Sequence, residues 1–499
     1  MKFLSRHFHA FLIVPSLLFF FLRLPSLFEP NWYGDEGIYQ TIGLALKNGA
    51  LLYKDIWDNK PPLLYILYGL FGGDQFSLRV LSLLFGIATI IAIFILAKKL
   101  SENLPHLSKT QAKNFPFIVS LLFSILFGSP LLEGNIANAE NFMLLPIICA
   151  GILIVSEKTT HGTRNLFIAG LLSSLAFLTK IVGLFDFTAF LAFLIFMNFE
   201  SFAKIPILLK KLWWYPIGFG TPILGTMIFF FAKGAFKEFY QGAFTQMIGY
   251  VGYGNRLIIP QGLLVIKMIL LTTFLLVLFK NRNRIHTSIL FILIWLSFSL
   301  FNTFFAQRPY VHYLLVLLPS FCLLSAYVYS LVIDQILTPK TLYTKTPIFI
   351  GGVLLFVVLL VHLNFTLYTK TIPYYGNFIN FILGSKDVTS YYEFFDRKTP
   401  RDYQLAQYIL LKTKPSDNIF IWGNNAQIYK LTNKLPPGRF TVAYHITAKK
   451  ETLDETYAAL LKQNPKYILV TNNSPIPYSL TQYVHRLNIQ EAAVYERTY

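Results

Sequence analysis

Residues 9–39 read HAFLIVPSLLFFFLRLPSLFEPNWYGDEGIY, a hydrophobic run that ends in the acidic pair Asp35-Glu36. The apolar part, about 9–27, is long enough to cross a bilayer core of roughly 30 Å. The polar stretch after it continues to Trp57-Asp58-Asn59-Lys60-Pro61-Pro62. The segment therefore predicts a membrane helix followed by an external loop that holds carboxylates at the membrane surface.

The whole chain has the composition of a membrane protein. It has 499 residues, of which 55% are hydrophobic and 13% charged, and its mean hydropathy is +0.52. Soluble domains average about 25% charged residues. The apolar runs lack the alternation of a barrel strand, so they predict a polytopic α-helical membrane protein. The predicted spans are 9–27, 76–97, 115–130, 142–156, 166–179, 185–199, 213–232, 262–279, 286–305, 311–331 and 347–368.

The net charge of +19 follows membrane topology and does not indicate a nucleic-acid partner. Alternate loops carry sixteen and eight Lys and Arg residues, and the eight are spread over longer loops. This bias predicts a cytoplasmic N-terminus. Because the number of predicted spans is odd, the C-terminal region is expected outside.

Three segments outside or between the spans carry further predictions. Residues 28–75 form the first external loop, with two short helices at the interface, Ile38 to Leu46 and Leu63 to Phe71. The run 166–199 is interpreted as two helices, because the loops on both sides of it are basic. From 371 to 499 strands alternate with helices, which predicts an extracytoplasmic α/β domain behind a transmembrane domain of residues 1–370.

The carboxylates of the external loops are the first candidates for chemistry. Asp35 and Glu36 could supply a general base at the membrane interface, although Asp35 could also be a helix cap. Glu140, in Asn138-Ala139-Glu140, is a second carboxylate from a separate loop. It could orient an acceptor, help bind a divalent cation, or simply cap its helix.

The external cations are the second group of candidates. Lys60 stands before a Pro-Pro pair that can start a helix, and Arg79 lies at the outer end of its span. Lys180, Arg308 and His312 are further basic residues next to spans on the outer side. Such groups could bind a lipid phosphate, or could be snorkelling or structurally paired side chains.

In order along the chain, these residues resemble the GT-C glycosyltransferases that use polyprenyl-phosphate sugars. The resemblance is greatest to the bacterial branch of glycosyltransferase family 39, which is related to protein O-mannosyltransferases and lipid A aminoarabinose transferases. The residues that carry it are Arg23, Asp35, Glu36, Tyr39, Gly49, Tyr53, Asp58, Lys60, Arg79, Asn138, Glu140, Lys180, His312, Tyr313 and Pro319, with Trp422, Tyr429 and Phe440 in the C-terminal region.

The resemblance implies an inverting sugar transfer with Asp35 as the general base and Glu36 supporting it. Lys60, Arg79, Lys180, Arg308 and His312 would bind the donor phosphate. Tyr39, Asp58, Asn138 and Tyr313 would contribute to the acceptor side of the site. Aminoarabinose transferases place an acidic residue directly before Lys-Pro-Pro, whereas this chain has Asn59 there, which argues against lipid A as the acceptor.

The implied partners are a polyprenyl-phosphate sugar, the bilayer, and a lipid, glycan or protein acceptor, with no nucleic acid. The implied location is the bacterial inner membrane. A divalent cation is the one cofactor left open. Two other classes stay open as well: a transporter or flippase, and a polymerase, of lipid-linked glycans. A transporter would favour ionisable residues deep within the spans, whereas the candidates here lie in external loops and at outer span ends.

Overall fold

The computed structural model describes residues 2–102, 104–156, 162–246, 262–305, 308, 310–337, 345–471 and 475–498. Parts of the predicted loops at 157–161, 247–261 and 338–344 lie outside the described residues. The first helices are α1 (Lys2–Arg23), α2 (Gly34–Lys47), α3 (Pro62–Leu70), α4 (Gln75–Ser101), α5 (Lys109–Gly128), α6 (Ala139–Val155), α7 (Gly162–Thr179) and α8 (Gly183–Asn198). There follow α9 (Ile205–Leu212), α10 (Trp214–Ala232), α11 (Phe236–Tyr240), α12 (Gly262–Asn281), α13 (Thr287–Phe305), α14 (Leu318–Leu337) and α15 (Lys345–Asn364).

Each predicted span coincides with a helix, but the number of crossings is not confirmed. Among the described residues, seven helices are long and apolar enough to cross a membrane. The number is eight if α8 and the segment Phe202–Leu212, which meet at 117°, form one broken span. The chain is a multi-pass membrane protein, and the count of eleven spans and their orientation stay predictions.

The predicted division of 166–199 into two helices is confirmed. Helix α7 ends at Thr179 and α8 begins at Gly183, so Lys180 lies in a tight turn between them. Helix α10 packs closely on α7. The approach is so close that a Cβ on Gly218 would lie 2.0 Å from the Phe167 carbonyl oxygen. Small residues of this kind let membrane helices approach each other, and here they fix the helix that leads to Lys180.

The first external loop forms the two predicted short helices, α2 and α3. Helix α2 begins at Gly34, and its N-cap residue Tyr33 makes no side-chain capping bond. Asp35 and Glu36 therefore lie in the first turn, where negative charge is favoured by the helix dipole, and Asp35 is not the cap. Helix α3 begins at Pro62, whose fixed φ suits the first helical position.

The C-terminal region contains a small mixed sheet and several helices, which confirms the predicted combination of strands and helices. Its elements are α16 (Thr371–Ile382), α17 (Val388–Glu393), α18 (Thr399–Lys412), β1 (Ile419–Trp422), α19 (Gln427–Thr432), α20 (Ala443–Ile446), α21 (Lys450–Gln463), β2 (Tyr467–Val470), β3 (Tyr483–Ile489) and β4 (Ala492–Arg497). The strand order is β1-β2-β4-β3. Strands β1 and β2 pair in parallel, and β3 and β4 form an antiparallel hairpin. The boundary at residue 371 stays a prediction.

The sheet region packs directly on the first external loop. The Thr41 hydroxyl donates to the Ala426 carbonyl at 2.9 Å, and the Lys430 ammonium donates to the Gly72 carbonyl at 2.9 Å. The Trp57 amide donates to the Arg439 carbonyl at 2.9 Å. These bonds place the start of α19 against α2 and a stretch after α19 against Trp57, so the sheet region covers the loop that carries Asp35.

Gly37 of α2 tests this packing, because a Cβ there would lie 2.7 Å from the Gln427 backbone nitrogen. We expect Gly37→Ala to lower the free energy of unfolding by about 1–3 kcal/mol through overpacking. Gly34→Ala in the same helix meets nothing within 4 Å and is the matched control. Thermal unfolding of the purified proteins measures both. Equal melting temperatures for the two variants would contradict the close packing of α2 on α19.

Candidate active site

A buried ionic cluster lies behind the acidic pair. The Arg79 guanidinium donates to both oxygens of Glu36, at 3.0 and 2.5 Å, and to Glu29 at 2.8 Å. All three side chains are fully or almost fully buried. Glu29 also accepts from the Tyr374 hydroxyl at 2.6 Å and from the Asn135 amide at 2.8 Å. This cluster, which we name the Arg79 cluster, joins α2, α4, the 133–138 loop and α16.

The Arg79 cluster contains two predicted site residues. Arg79 was expected to bind the donor phosphate, but its guanidinium is enclosed and faces two carboxylates. Glu36 was expected to support catalysis directly, but its carboxylate is buried on Arg79 and accepts from the Ala137 amide at 3.2 Å. Buried charges persist only when paired and hydrogen-bonded. The pairing holds the loop in place, and the catalytic role of Glu36 and the phosphate-binding role of Arg79 stay predictions.

The other half of the acidic pair faces outward. The Asp35 side chain is 37% exposed, and one of its oxygens lies 3.5 Å from the Lys60 ammonium. The Tyr39 hydroxyl donates to the same oxygen at 3.0 Å. Lys60 also lies 3.9 Å from Asp58 and 4.9 Å from the centre of the Tyr39 ring. Two predicted site residues, Lys60 and Tyr39, therefore contact the accessible carboxylate of Asp35, and a further one, Asp58, lies beside Lys60.

Tyrosines of the same loop hold Asp58 and Lys60 in place. The Tyr65 hydroxyl donates to Asp58 at 2.6 Å, and the Tyr53 hydroxyl donates to the Lys60 carbonyl at 2.6 Å. Asp58 is almost fully buried, whereas the Lys60 side chain keeps 18% of its surface exposed. The loop therefore presents the Lys60 ammonium beside Asp35 on a rigid base.

A second polar group comes from later parts of the chain. The Lys180 ammonium bonds to Glu140 and lies 4.5 Å from the centre of the Tyr313 ring. His312 Nε2 is 4.0 Å from Glu140, and His312 Nδ1 is 2.8 Å from Glu133. The α6 N-terminus, the α7–α8 turn and the 311–317 helical turn thus converge, although their residues lie far apart in sequence.

Tyr33 connects the group around Asp35 with the group around Glu140: its backbone leads into α2, and its side chain bonds to the second group. Its hydroxyl donates to Glu133 at 2.8 Å and accepts from the Asn138 amide at 3.4 Å, one residue before Gly34 opens α2. Glu133 has a left-handed backbone, with φ of 57°. Sequence reasoning did not assign Tyr33 or Glu133 to the site, because their partner His312 follows them by well over a hundred residues.

Arg308 lies in the connection between α13 and the 311–317 helical turn and is half-buried. Its predicted role on the donor phosphate stays a prediction. Among the residues described, no three His, Cys, Asp or Glu side chains group as metal ligands. The divalent cation likewise stays a prediction.

The charges around Asp35 favour its ionised form. Burial by itself opposes ionisation, but Lys60, His312 and the bond from Tyr39 outweigh it, so the pKa of Asp35 lies below its ordinary value. Burial also opposes the charge on Lys60, and there Asp35 and Asp58 prevail and raise the pKa to about 12. At neutral pH the site therefore holds a carboxylate beside an ammonium.

The fold of the described helices and the sheet region is similar to that of a solved protein, ArnT. The crystal structure of ArnT from Cupriavidus metallidurans in the apo state matches with a TM-score of 0.54 and 13% identity over 98% of both chains. The same protein bound to undecaprenyl phosphate matches with a TM-score of 0.51 and 11% identity, also over 98% of both chains. At identities this low, the structural match establishes a common fold and nothing more.

The archaeal oligosaccharyltransferase AglB from Archaeoglobus fulgidus, in complex with an inhibitory peptide and a dolichol-phosphate, matches with a TM-score of 0.45 and 12% identity. That match covers 93% of this chain and 69% of AglB. The family profile of the C-terminal domain of competence-induced protein Ccs4 matches residues 401–497. No curated protein matches the chain in sequence.

His445 of α20 reaches the site from the sheet region, with Nε2 3.6 Å from Asp58. Burial lowers its pKa to about 4, against the attraction of Asp58. As pH falls from about 6.5 towards 4, the unfolded chain binds a proton here that the folded chain does not, so stability is lost.

We therefore expect His445→Phe to lose less stability than the wild type between pH 7.5 and pH 5, by up to about 2 kcal/mol. His485→Phe, on the exposed face of β3, is the control and should behave as the wild type does. Melting temperatures across this pH range measure the effect. An unchanged acid sensitivity in His445→Phe would show that His445 is charged in the folded protein.

Proposed function

We propose that this chain is an integral membrane glycosyltransferase of the family 39 type. It would transfer a sugar from a polyprenyl-phosphate donor to an acceptor outside the bacterial inner membrane, with its N-terminus in the cytoplasm. The observation that carries the proposal is the pairing of an exposed, ionised Asp35 with Lys60 at 3.5 Å. The shared fold with ArnT, a protein solved with undecaprenyl phosphate, supports it.

Asp35 is the proposed general base. Its free carboxylate oxygen would take the proton from an acceptor hydroxyl or amine as that atom attacks the anomeric carbon of the donor sugar. The bond from that carbon to the phosphate oxygen breaks, the polyprenyl phosphate leaves with the electron pair, and the anomeric configuration inverts. A positioned base of this kind contributes about 10²–10⁴ to the rate.

The cations would stabilise the leaving phosphate. Lys60 lies beside Asp35, Lys180 and His312 lie together at Glu140, and all three act electrostatically on the Asp35 carboxylate. Arg308 is a further proposed ligand from the same connection as His312. Preorganised charges that face the leaving group act without reorganisation in the transition state. Glu140 would hold Lys180 in place, and Asn138 would hold Tyr33.

The direct test replaces Asp35 in the native bacterium and compares envelope glycolipids, glycans and glycoproteins by mass spectrometry. A deletion strain complemented with Asp35→Asn, at verified expression, should lack one sugar mass on one species and accumulate the prenyl-phosphate donor. The loss of turnover should be at least about a hundredfold. Asp55→Asn is the matched control, because Asp55 is an exposed carboxylate of the same loop that accepts only from the Leu51 amide.

Full complementation by Asp35→Asn would reject Asp35 as the base. If the deletion strain holds an intact lipid-linked glycan on the wrong side of the membrane, without loss of a sugar, that result would favour a transporter. Loss of long glycans alone would favour a polymerase.

A further inference from the structure

A cavity of about 150 Å³ lies between the first external loop, the segment that follows α11, and the sheet region. Trp57, Phe440 and His445 form its inner wall. Gln241 and Thr245 line it from one side, and Thr452 from the other. A cavity of about this volume holds one six-membered ring.

The inner wall is aromatic and rigid. The Trp57 ring meets the Phe440 ring edge-on, with centroids 5.5 Å apart, and meets the His445 ring at 90° with centroids 5.0 Å apart. The Trp57 amide is bonded to the Arg439 carbonyl, so the sheet region and the loop build this wall together. Such a wall offers an apolar surface to the CH groups of a ring.

One buried polar atom of the wall has no partner. His445 is 6% exposed and its Nδ1 accepts and donates no hydrogen bond in the structure. Its Nε2 lies 3.6 Å from the Asp58 carboxylate, which can only accept, so the ring proton belongs on Nε2. Nδ1 then carries a lone pair without a partner, in a ring that lines the cavity, and a hydroxyl is the ligand group that would donate to it.

The remaining lining suits a ligand with many hydroxyl groups. Gln241, Gln246, Thr245 and Thr452 offer amides and hydroxyls that both donate and accept. Arg439 is already paired with Glu455 at 2.7 Å. Lys449 also lines the cavity, and among the described lining residues there is no carboxylate, so the lining favours a neutral or anionic ligand over a cationic one.

The cavity is connected to the candidate active site through ion pairs. His445 lies 3.6 Å from Asp58, Asp58 lies 3.9 Å from Lys60, and Lys60 lies 3.5 Å from Asp35. The cavity wall is thus connected to Asp35, the proposed general base, through Asp58 and Lys60. We propose that the cavity is the acceptor subsite and binds a pyranose ring, so that the acceptor is a glycan or glycolipid and not a bare protein. This inference rests on the proposed function.

The test measures binding of methyl pyranosides of glucose, galactose, mannose and N-acetylglucosamine to the full chain in nanodiscs, by saturation-transfer NMR. The wild type should bind at least one of them. His445→Phe keeps the aromatic wall and removes the acceptor atom, and Gln241→Ala changes an exposed side chain that the fold does not need. Each should weaken binding about tenfold, the loss expected for one hydrogen bond.

Two controls make failure of the subsite distinguishable from failure of the proposed function. Asp35→Asn should bind the pyranoside as the wild type does, although it loses transfer. Lys462→Ala, on α21 outside the cavity lining, should change neither. If no pyranoside binds, or if His445→Phe and Gln241→Ala both bind as the wild type does, the subsite is rejected, while Asp35-dependent transfer would still stand on its own.

Discussion

The enclosed pairing of Arg79 with Glu29 and Glu36 is the interaction on which the site depends. Three charges are removed from water at the N-terminal end of α4, and each is satisfied by the others and by bonds from Ala137, Asn135 and Tyr374. Breaking one member of such a group costs about 3–5 kcal/mol, because a buried charge is left without a partner. The Arg79 cluster therefore fixes α2 relative to the membrane helices and to α16.

Fixing α2 separates two neighbouring carboxylates into different roles. On a helix, adjacent residues point about 100° apart, so with Glu36 turned inward onto Arg79, Asp35 must face outward. There it meets Lys60, which the tyrosines of the loop hold in position. The same packing brings the sheet region onto the loop, through Gly37 and Trp57, and so closes the space next to Asp58 in which an acceptor ring is proposed to bind.

The sequence predicted much of this arrangement, and the failures have physical causes. The long apolar runs correspond to helices in the structure. The order of charged residues singled out Asp35, Lys60, Glu140, Lys180 and His312, which the structure places in two polar groups. The sequence did not predict that Arg79 and Glu36 pair with each other, because an enclosed ion pair and an open phosphate ligand have the same residue types at the same span end. It missed β3, most of whose residues are exposed or half-buried, and β4, in which two buried residues alternate with half-buried ones, because neither strand has the apolar run of β1 and β2. It missed His445 and Glu133, because their partners come from distant segments.

The central claim is that Arg79 supports the fold whereas Lys60 meets the lipid phosphate. Thermal unfolding of Arg79→Met and Lys60→Met, each with and without undecaprenyl phosphate, tests it most directly. The account predicts that Arg79→Met unfolds at a much lower temperature even without lipid. It predicts that Lys60→Met loses less stability than Arg79→Met without lipid, because Lys60 and its partner Asp35 are partly exposed, but that it also loses most of the stabilisation that bound lipid phosphate gives. A stable Arg79→Met protein that loses only the lipid-dependent stabilisation would contradict the account.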